Sequence, residues 1–164
     1  MNVQESIVRR KSIRKFEKGM LSDEQLQTLM KAAQLAPSAS NRQPYTFIIV
    51  KDDELKKELS KKASIQRFIR EALVIFVGVG DPEHERWYKV DLAIAMEHLA
   101  LQAVELGLGC CWLGAFEEDK VKEILKIPEH LMVLALLPIG IPAHDPPARP
   151  RKPIEELFFT NYFQ

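Results

Sequence analysis

The run Leu73-Val-Ile-Phe-Val-Gly-Val79 decides the fold. It is continuously apolar, of strand length and without polar alternation, which predicts a central strand covered on both faces. Just downstream, residues 87–106 predict the longest helix. Its polar residues Asp91, His98, Gln102 and Glu105 fall within about 60° of one another at about 100° per residue. Nearly everything else on it is apolar or small, the pattern of a helix buried almost all round. A chain of 164 residues has few ways to enclose such a helix by itself, which points to a subunit partner. Gly107 and Gly109 end it. Residues 110–115 then predict a strand or loop, 120–125 a short helix and 131–139 a second buried strand. Upstream, Tyr45 to Val50 is β-branched and aromatic, hence a strand. Residues 53–62 predict a charged surface helix and 65–71 a short one. Asn2 with Glu5, and Ser22 with Gln25, have the spacing of capping pairs. They open two helices, one running to about Arg10 and one to about Ala36. The second carries an apolar face of Leu26, Leu29, Ala33 and Met30, and Pro37 stops it. Five of the ten prolines lie between Pro142 and Pro153, too many for regular structure. The coarse order is α-α-β-α-β-α-β-α-β, an α+β or α/β sandwich. We read residues 1–164 as a single domain, with 142–164 an extended proline-rich tail.

Composition narrows the function. Hydrophobic residues make up 46% of the chain, and 23 Lys+Arg balance 23 Asp+Glu. That excludes wholesale disorder and argues against a nucleic-acid binder, which carries a clear positive excess. No apolar run approaches the roughly 20 residues of a membrane span, so no membrane association is expected. The start MNVQESIVRRK has no apolar signal core. The two cysteines, Cys110 and Cys111, are adjacent and make no disulfide framework, so a cytoplasmic location is expected.

Three segments can carry chemistry. Arg9-Arg-Lys-Ser-Ile-Arg-Lys15 packs five cations and no acid into seven residues. It is either a solvated helix end favoured by the helix dipole or an anion site. In the second case Arg10, Ser12 and Arg14 converge on one phosphate. The loop Ser38-Ala-Ser-Asn-Arg-Gln43 is either a self-satisfied turn or a set of short donors and acceptors for a heteroaromatic ring. Gly107-Leu-Gly-Cys-Cys-Trp-Leu-Gly114 is either a helix end with a turn or a backbone that comes close to a flat ligand. Gly78-Val-Gly80 lacks the third glycine of a dinucleotide fingerprint, and there is no P-loop or nucleophile elbow. The four histidines have no ligand spacing, so no metal site is expected. The cysteines read as small core thiols.

Together these segments resemble the nitroreductase family of FMN-dependent flavoproteins. The resemblance rests on four blocks in the family's order. They are Arg9 to Phe16, Ala36-Pro-Ser-Ala-Ser-Asn-Arg-Gln-Pro-Tyr45, Asp91 through Gly107-Leu-Gly109 to Phe116, and Leu137-Pro-Ile-Gly-Ile-Pro142 with Arg149-Pro-Arg-Lys-Pro153 behind it. It implies a dimeric α+β fold, a three-layer α/β/α sandwich with a central, mainly antiparallel sheet and a long buried helix. It also implies FMN at the interface of a homodimer. Arg10, Lys11, Ser12 and Arg14 would hold the phosphate and ribityl chain, and Arg149 and Arg151 would close over the phosphate with help from Lys152. Pro37, Ser38, Ala39, Ser40 and Asn41 would come from the other subunit. Gly114 would offer its N–H to the ring and Leu113 would pack beside it. The implied activity is hydride transfer from NAD(P)H through FMN to nitroaromatics, quinones or similar acceptors by a ping-pong mechanism, with no catalytic acid or base. The alternatives are other chemistry on the same fold (flavin fragmentation, dehalogenation, azoline oxidation) or a non-enzymatic anion-binding protein. The chain departs from the family in being short, with little between Gly80 and Trp87. The family's side-chain contact to the flavin pyrimidine has only Gln66 as a counterpart.

Overall fold

The computed structural model describes residues 2–64 and 66–163. Helix α1 (Val3–Arg9) and helix α2 (Asp23–Gln34) both begin in full capping boxes, from Asn2 with Glu5 and from Ser22 with Gln25. Strand β1 (Phe16–Glu17) lies between them, and a 3-10 turn (Ala39–Asn41) leads into β2 (Tyr45–Val50). Helix α3 (Asp53–Glu58) widens into a π-helical turn (Leu59–Ala63), and a 3-10 turn (Arg67–Glu71) precedes β3 (Val74–Gly80). Then come α4 (Tyr88–Glu105), β4 (Gly109–Cys110), α5 (Glu118–Leu125) and β5 (Met132–Pro142).

The sheet runs β1-β5-β3-β2, with β4 also on β5, and every ladder among the described residues is antiparallel. All seven residues of β3 are buried, as its unbroken apolar run predicts. One face packs Val74, Phe76, Ala135 and Leu137 against Leu29 of α2 and Leu92, Met96 and Leu99 of α4. The other packs Ile75, Val77 and Val133 against Leu59, Ile69 and Val121. Helices therefore cover both faces, giving three layers. Gly78 and Gly80 make room for this, since a methyl group on either would run into Met96 or Tyr88 of α4.

The structure refines four expectations. The segment 53–62 is not a plain surface helix, because Lys56 is 4% exposed and its Nζ donates to the Ala72 carbonyl at 2.7 Å. Its methylene stem fills the space under the strand while Asp53, 2.9 Å away, balances the charge. Of the short helix expected over 65–71, Ile65 lies outside the described residues and the rest is a 3-10 turn. Of residues 110–115, expected as strand or loop, Cys110 pairs in a two-residue ladder that starts at Gly109, Leu113 makes one bridge with Leu136, and the rest is loop. Finally, α4 is buried on one side only within a single chain, with Trp87 and Val90 each 47% exposed. Beyond Pro142 the tail is extended apart from one turn at Ile154–Glu156, and it leaves Phe158, Tyr162 and Phe163 exposed.

Gly107, at φ +74°, closes α4 in the left-handed conformation that glycine favours. Gly109 has a different task. A Cβ there would meet three atoms of Ile13, the nearest at 2.6 Å. Gly109→Ala is therefore expected to cost about 1–3 kcal/mol through overpacking, read as a lower urea midpoint. Arg42 and the Trp87 N–H hold the Glu85 carboxyl below the usual carboxylate range. That anchor is present at neutral pH and is lost as pH falls through the depressed value. Amide exchange across residues 38–43 should accelerate there before the core opens.

Candidate functional site

Helix α1 ends when Arg10 turns extended (φ −58°, ψ 121°), and the next residues run alongside β4. The Ile13 N–H donates to the Cys110 carbonyl at 2.9 Å, and Ser12 bridges Cys110 in parallel. Extended backbone alternates its side chains. Ile13 therefore enters the core at 6% exposure, while Ser12 and Arg14 face outward together. The tail returns to the same place. Ala143 N–H donates to the Lys15 carbonyl at 3.0 Å, and Lys11 Nζ meets Asp145 at 2.6 Å. Pro146, Pro147 and Pro150 keep the chain extended, which carries Arg149 and Arg151 over Arg10, Ser12 and Arg14. Between them lies a cavity of about 560 Å³.

The charge in this cavity is only partly met. Arg10 Nε is 3.8 Å from Glu97, whose other oxygen accepts from the Trp112 indole N–H at 3.0 Å. Lys11 is occupied by Asp145. Arg151 donates to the Arg149 and Pro150 carbonyls, which fixes its guanidinium. Among the described residues no carboxylate pairs with Arg14, Arg149 or Arg151. The arrangement suits a dianionic group that takes bonds from several guanidiniums and a hydroxyl. Below it, burial pushes the Cys111 thiol up against the opposing pull of Arg14, the Ser12 hydroxyl and Arg10. Burial pushes Cys110 up to about 12. Both are free thiols at 0% and 1% exposure, core groups rather than nucleophiles.

The other candidate residues lie apart from this cavity. Gly114 is exposed, its N–H makes no hydrogen bond among the described residues, and nothing stands within 4 Å of the place a Cβ would take. A flat ligand can therefore approach that backbone. Leu113 is 3% exposed, and its N–H and C=O are both bonded to Leu136, so little more than a side-chain edge is open. Gln66 is half-buried near this strand, its N–H bonded to the Ser64 hydroxyl and its side-chain amide unbonded among the described residues. Pro37, Ser38, Ala39, Ser40 and Asn41 line no part of the arginine cavity in the same chain. Their loop is wound tightly, with Ser40, Asn41 and Gln43 all at positive φ. The Ser38 hydroxyl accepts the Gln43 N–H, and the Gln43 side chain donates to Asn41. These local bonds brace the loop without using the Ser40 hydroxyl.

Two acids that sequence reasoning passed over hold the loop from α4 and its approach. Asp91 Oδ1 accepts the Ala39 N–H at 3.1 Å, and the buried Glu85 pairs with Arg42. Asp91 was read as part of a polar stripe, yet it is 3% exposed because the loop covers it, and its Oδ2 has no partner among the described residues. Glu97 and Trp112, which tie α4 to Arg10, were also missed. The only local signal was an acid on an otherwise apolar helix.

Comparison with known proteins identifies the family and the fold. The Nitroreductase family model matches residues 7–72 and 60–141. An FMN reductase (NADPH) of Bacillus subtilis is 31% identical over 99% of this chain and 74% of its own length. The crystal structure of a nitroreductase family protein from Clostridium novyi NT superposes with a TM-score of 0.83 at 38% identity, covering 87% of this chain and 86% of that one. An FMN-dependent nitroreductase from Clostridium difficile superposes at 0.87 with 29% identity, covering 96% and 98%. With the match running from α1 through β5 and the same fold in solved relatives, the chain belongs to the nitroreductase family.

Proposed function

We propose that the protein is an FMN-binding oxidoreductase that draws electrons from NAD(P)H and passes them to nitroaromatics, quinones or similar acceptors in a ping-pong cycle. The observation that carries this reading is the cavity where Arg14, Arg149 and Arg151 face Ser12 with no carboxylate among the described residues to pair them. FMN joins a phosphate of about −2 charge to a flat ring, and its bound isoalloxazine supplies the hydride chemistry.

The chain's own residues then have distinct tasks. Arg10, Ser12, Arg14, Arg149 and Arg151 bind the phosphate, with Lys11 adding charge from the rim. The open Gly114 N–H donates to the ring, and the edge of Leu113 borders it. Pro37, Ser38, Ala39, Ser40 and Asn41 reach the ring from the second subunit of a homodimer, because in their own chain they lie away from the arginines. No side chain is assigned as proton donor or acceptor. The reading places the protein in the cytoplasm, where reduced nicotinamide nucleotides and reduced thiols coexist.

The absorbance spectrum tests the reading. The purified or FMN-reconstituted protein should show oxidised-flavin bands that bleach on adding NAD(P)H, and a protein that takes up no FMN would sink it. Arg10→Ala and Arg14→Ala should each weaken FMN binding about tenfold or more, followed by quenching of flavin fluorescence. Arg14→Ala should do more harm, since Glu97 already offsets part of Arg10. Unchanged affinity in both variants would refute the phosphate assignment. Gly114→Ala meets no atom in its own chain. It should leave the thermal midpoint unchanged yet weaken FMN binding, and normal binding would show that no ring approaches that amide.

A further inference from the structure

A second cationic pocket lies outside every residue assigned above. It has a volume of about 410 Å³, between the π-helical turn and the 3-10 turn before β3, and is lined by Ser60, Lys61, Ser64, Arg67 and Arg70. Three cations and two hydroxyls meet there without a carboxylate. The contrast with the flanking lysines is informative. Lys57 and Lys62 each pair with a glutamate three or four residues earlier, at 2.7 and 2.6 Å. Lys61, Arg67 and Arg70 have no ion pair among the described residues.

The walls of this pocket are fixed. Ser60 is 3% exposed, and its hydroxyl donates to the Arg67 carbonyl at 3.2 Å, which pins one turn against the other. The turn Leu59–Ala63 is π-helical, and such turns recur at functional sites. The pocket also adjoins the proposed ring site. Ser64 pairs with Phe116, and its hydroxyl lies 3.5 Å from the Ala115 carbonyl, next to the open Gly114 amide. The cavity that contains Arg9, Lys11 and His144 is a poorer anion site, because Asp145 lines it and already meets Lys11.

We propose that this pocket binds a phosphoryl group of the nicotinamide nucleotide that reduces the protein. The proposal rests on the reductase reading above and adds to it the site that holds the reductant. Guanidinium pairs and hydroxyls give a phosphate charge-assisted bonds, and a phosphate here anchors the nucleotide beside the strand that carries Gly114. The candidate groups are the 2′-phosphate of NADPH and the pyrophosphate common to NADPH and NADH.

The purified protein is titrated with adenosine 2′,5′-bisphosphate and with ADP by calorimetry. KM and kcat for NADPH and NADH are then measured for the FMN-loaded wild type and the Arg67→Ala/Arg70→Ala double variant. Binding should weaken as salt rises. In the double variant KM should rise about tenfold or more, well beyond any fall in kcat. A loss confined to the bisphosphate and NADPH assigns the pocket to the 2′-phosphate. An equal loss for ADP and NADH assigns it to the pyrophosphate. Partial recovery in Arg67→Lys/Arg70→Lys separates lost charge from lost structure. Unchanged KM for both nucleotides in a double variant that still holds FMN overturns the proposal and leaves the flavoprotein reading standing. Absence of FMN uptake overturns that reading instead, and the bisphosphate titration still decides the pocket, since unaltered binding in the double variant rejects it.

Discussion

The hydrogen bond from the Ile13 N–H to the Cys110 carbonyl, made possible by the missing side chain at Gly109, is the contact on which the rest of the site depends. It pins a basic segment that would otherwise fray into water alongside β4. Once Ile13 is held in the core, alternation leaves Ser12 and Arg14 no choice but to face outward together. The bond from Ala143 to Lys15 then lays the proline-rich tail on that segment, and Arg149 and Arg151 follow. A packing constraint at one glycine thus determines where five polar side chains meet.

That meeting place is electrostatically unfavourable by itself. Like charges gathered on a partly enclosed surface repel, and among the described residues only Glu97 and Asp145 pair with them. A net charge of zero over the whole chain conceals this, because the acids are spent elsewhere. Many pair with lysines one helical turn away, as in Glu54 with Lys57, Glu58 with Lys62 and Glu123 with Lys120. Such exposed, salt-screened pairs add little to stability. Among the cations left out of this scheme, Arg14, Arg149 and Arg151 gather in the arginine cavity and Lys61, Arg67 and Arg70 in the second pocket.

Features set by neighbouring residues were legible in the sequence. Both capping boxes, the bounds of β2 and the buried run of β3 were read from local pattern, because each is decided within one or two turns of chain. Lys56 was misjudged because its partners, the carbonyls of Ala72 and Leu73, lie 16 and 17 residues away. The buried position of Asp91 was misjudged for a similar reason, since its partner Ala39 is 52 residues upstream. The arginine cavity shows the same division. Its residue types stand out by local clustering, but the approach of the tail, marked by Lys11 and Asp145 134 residues apart, followed only from family resemblance.

The loop at Ser38–Gln43 lies apart from the arginine cavity of its own chain and is held there under strain. Three side-chain-bearing residues at positive φ cost about 1–3 kcal/mol each and persist only where their surroundings over-determine them. Here the surroundings are Asp91 and Glu85, so the N-terminal part of α4 carries the strain. Glu97, six residues beyond Asp91, holds Arg10 instead. Six residues turn a helix by about 240°, so the loop and the arginine cavity are fixed to different sides of α4. Neither can swing toward the other without breaking a carboxylate contact. A loop whose task was only to reverse the chain could use glycine and need no buried acid. A loop held rigid and far from the arginines of its own chain is consistent with the role proposed for it in a dimer, and the exposed Trp87 and Val90 stand at the same end of α4.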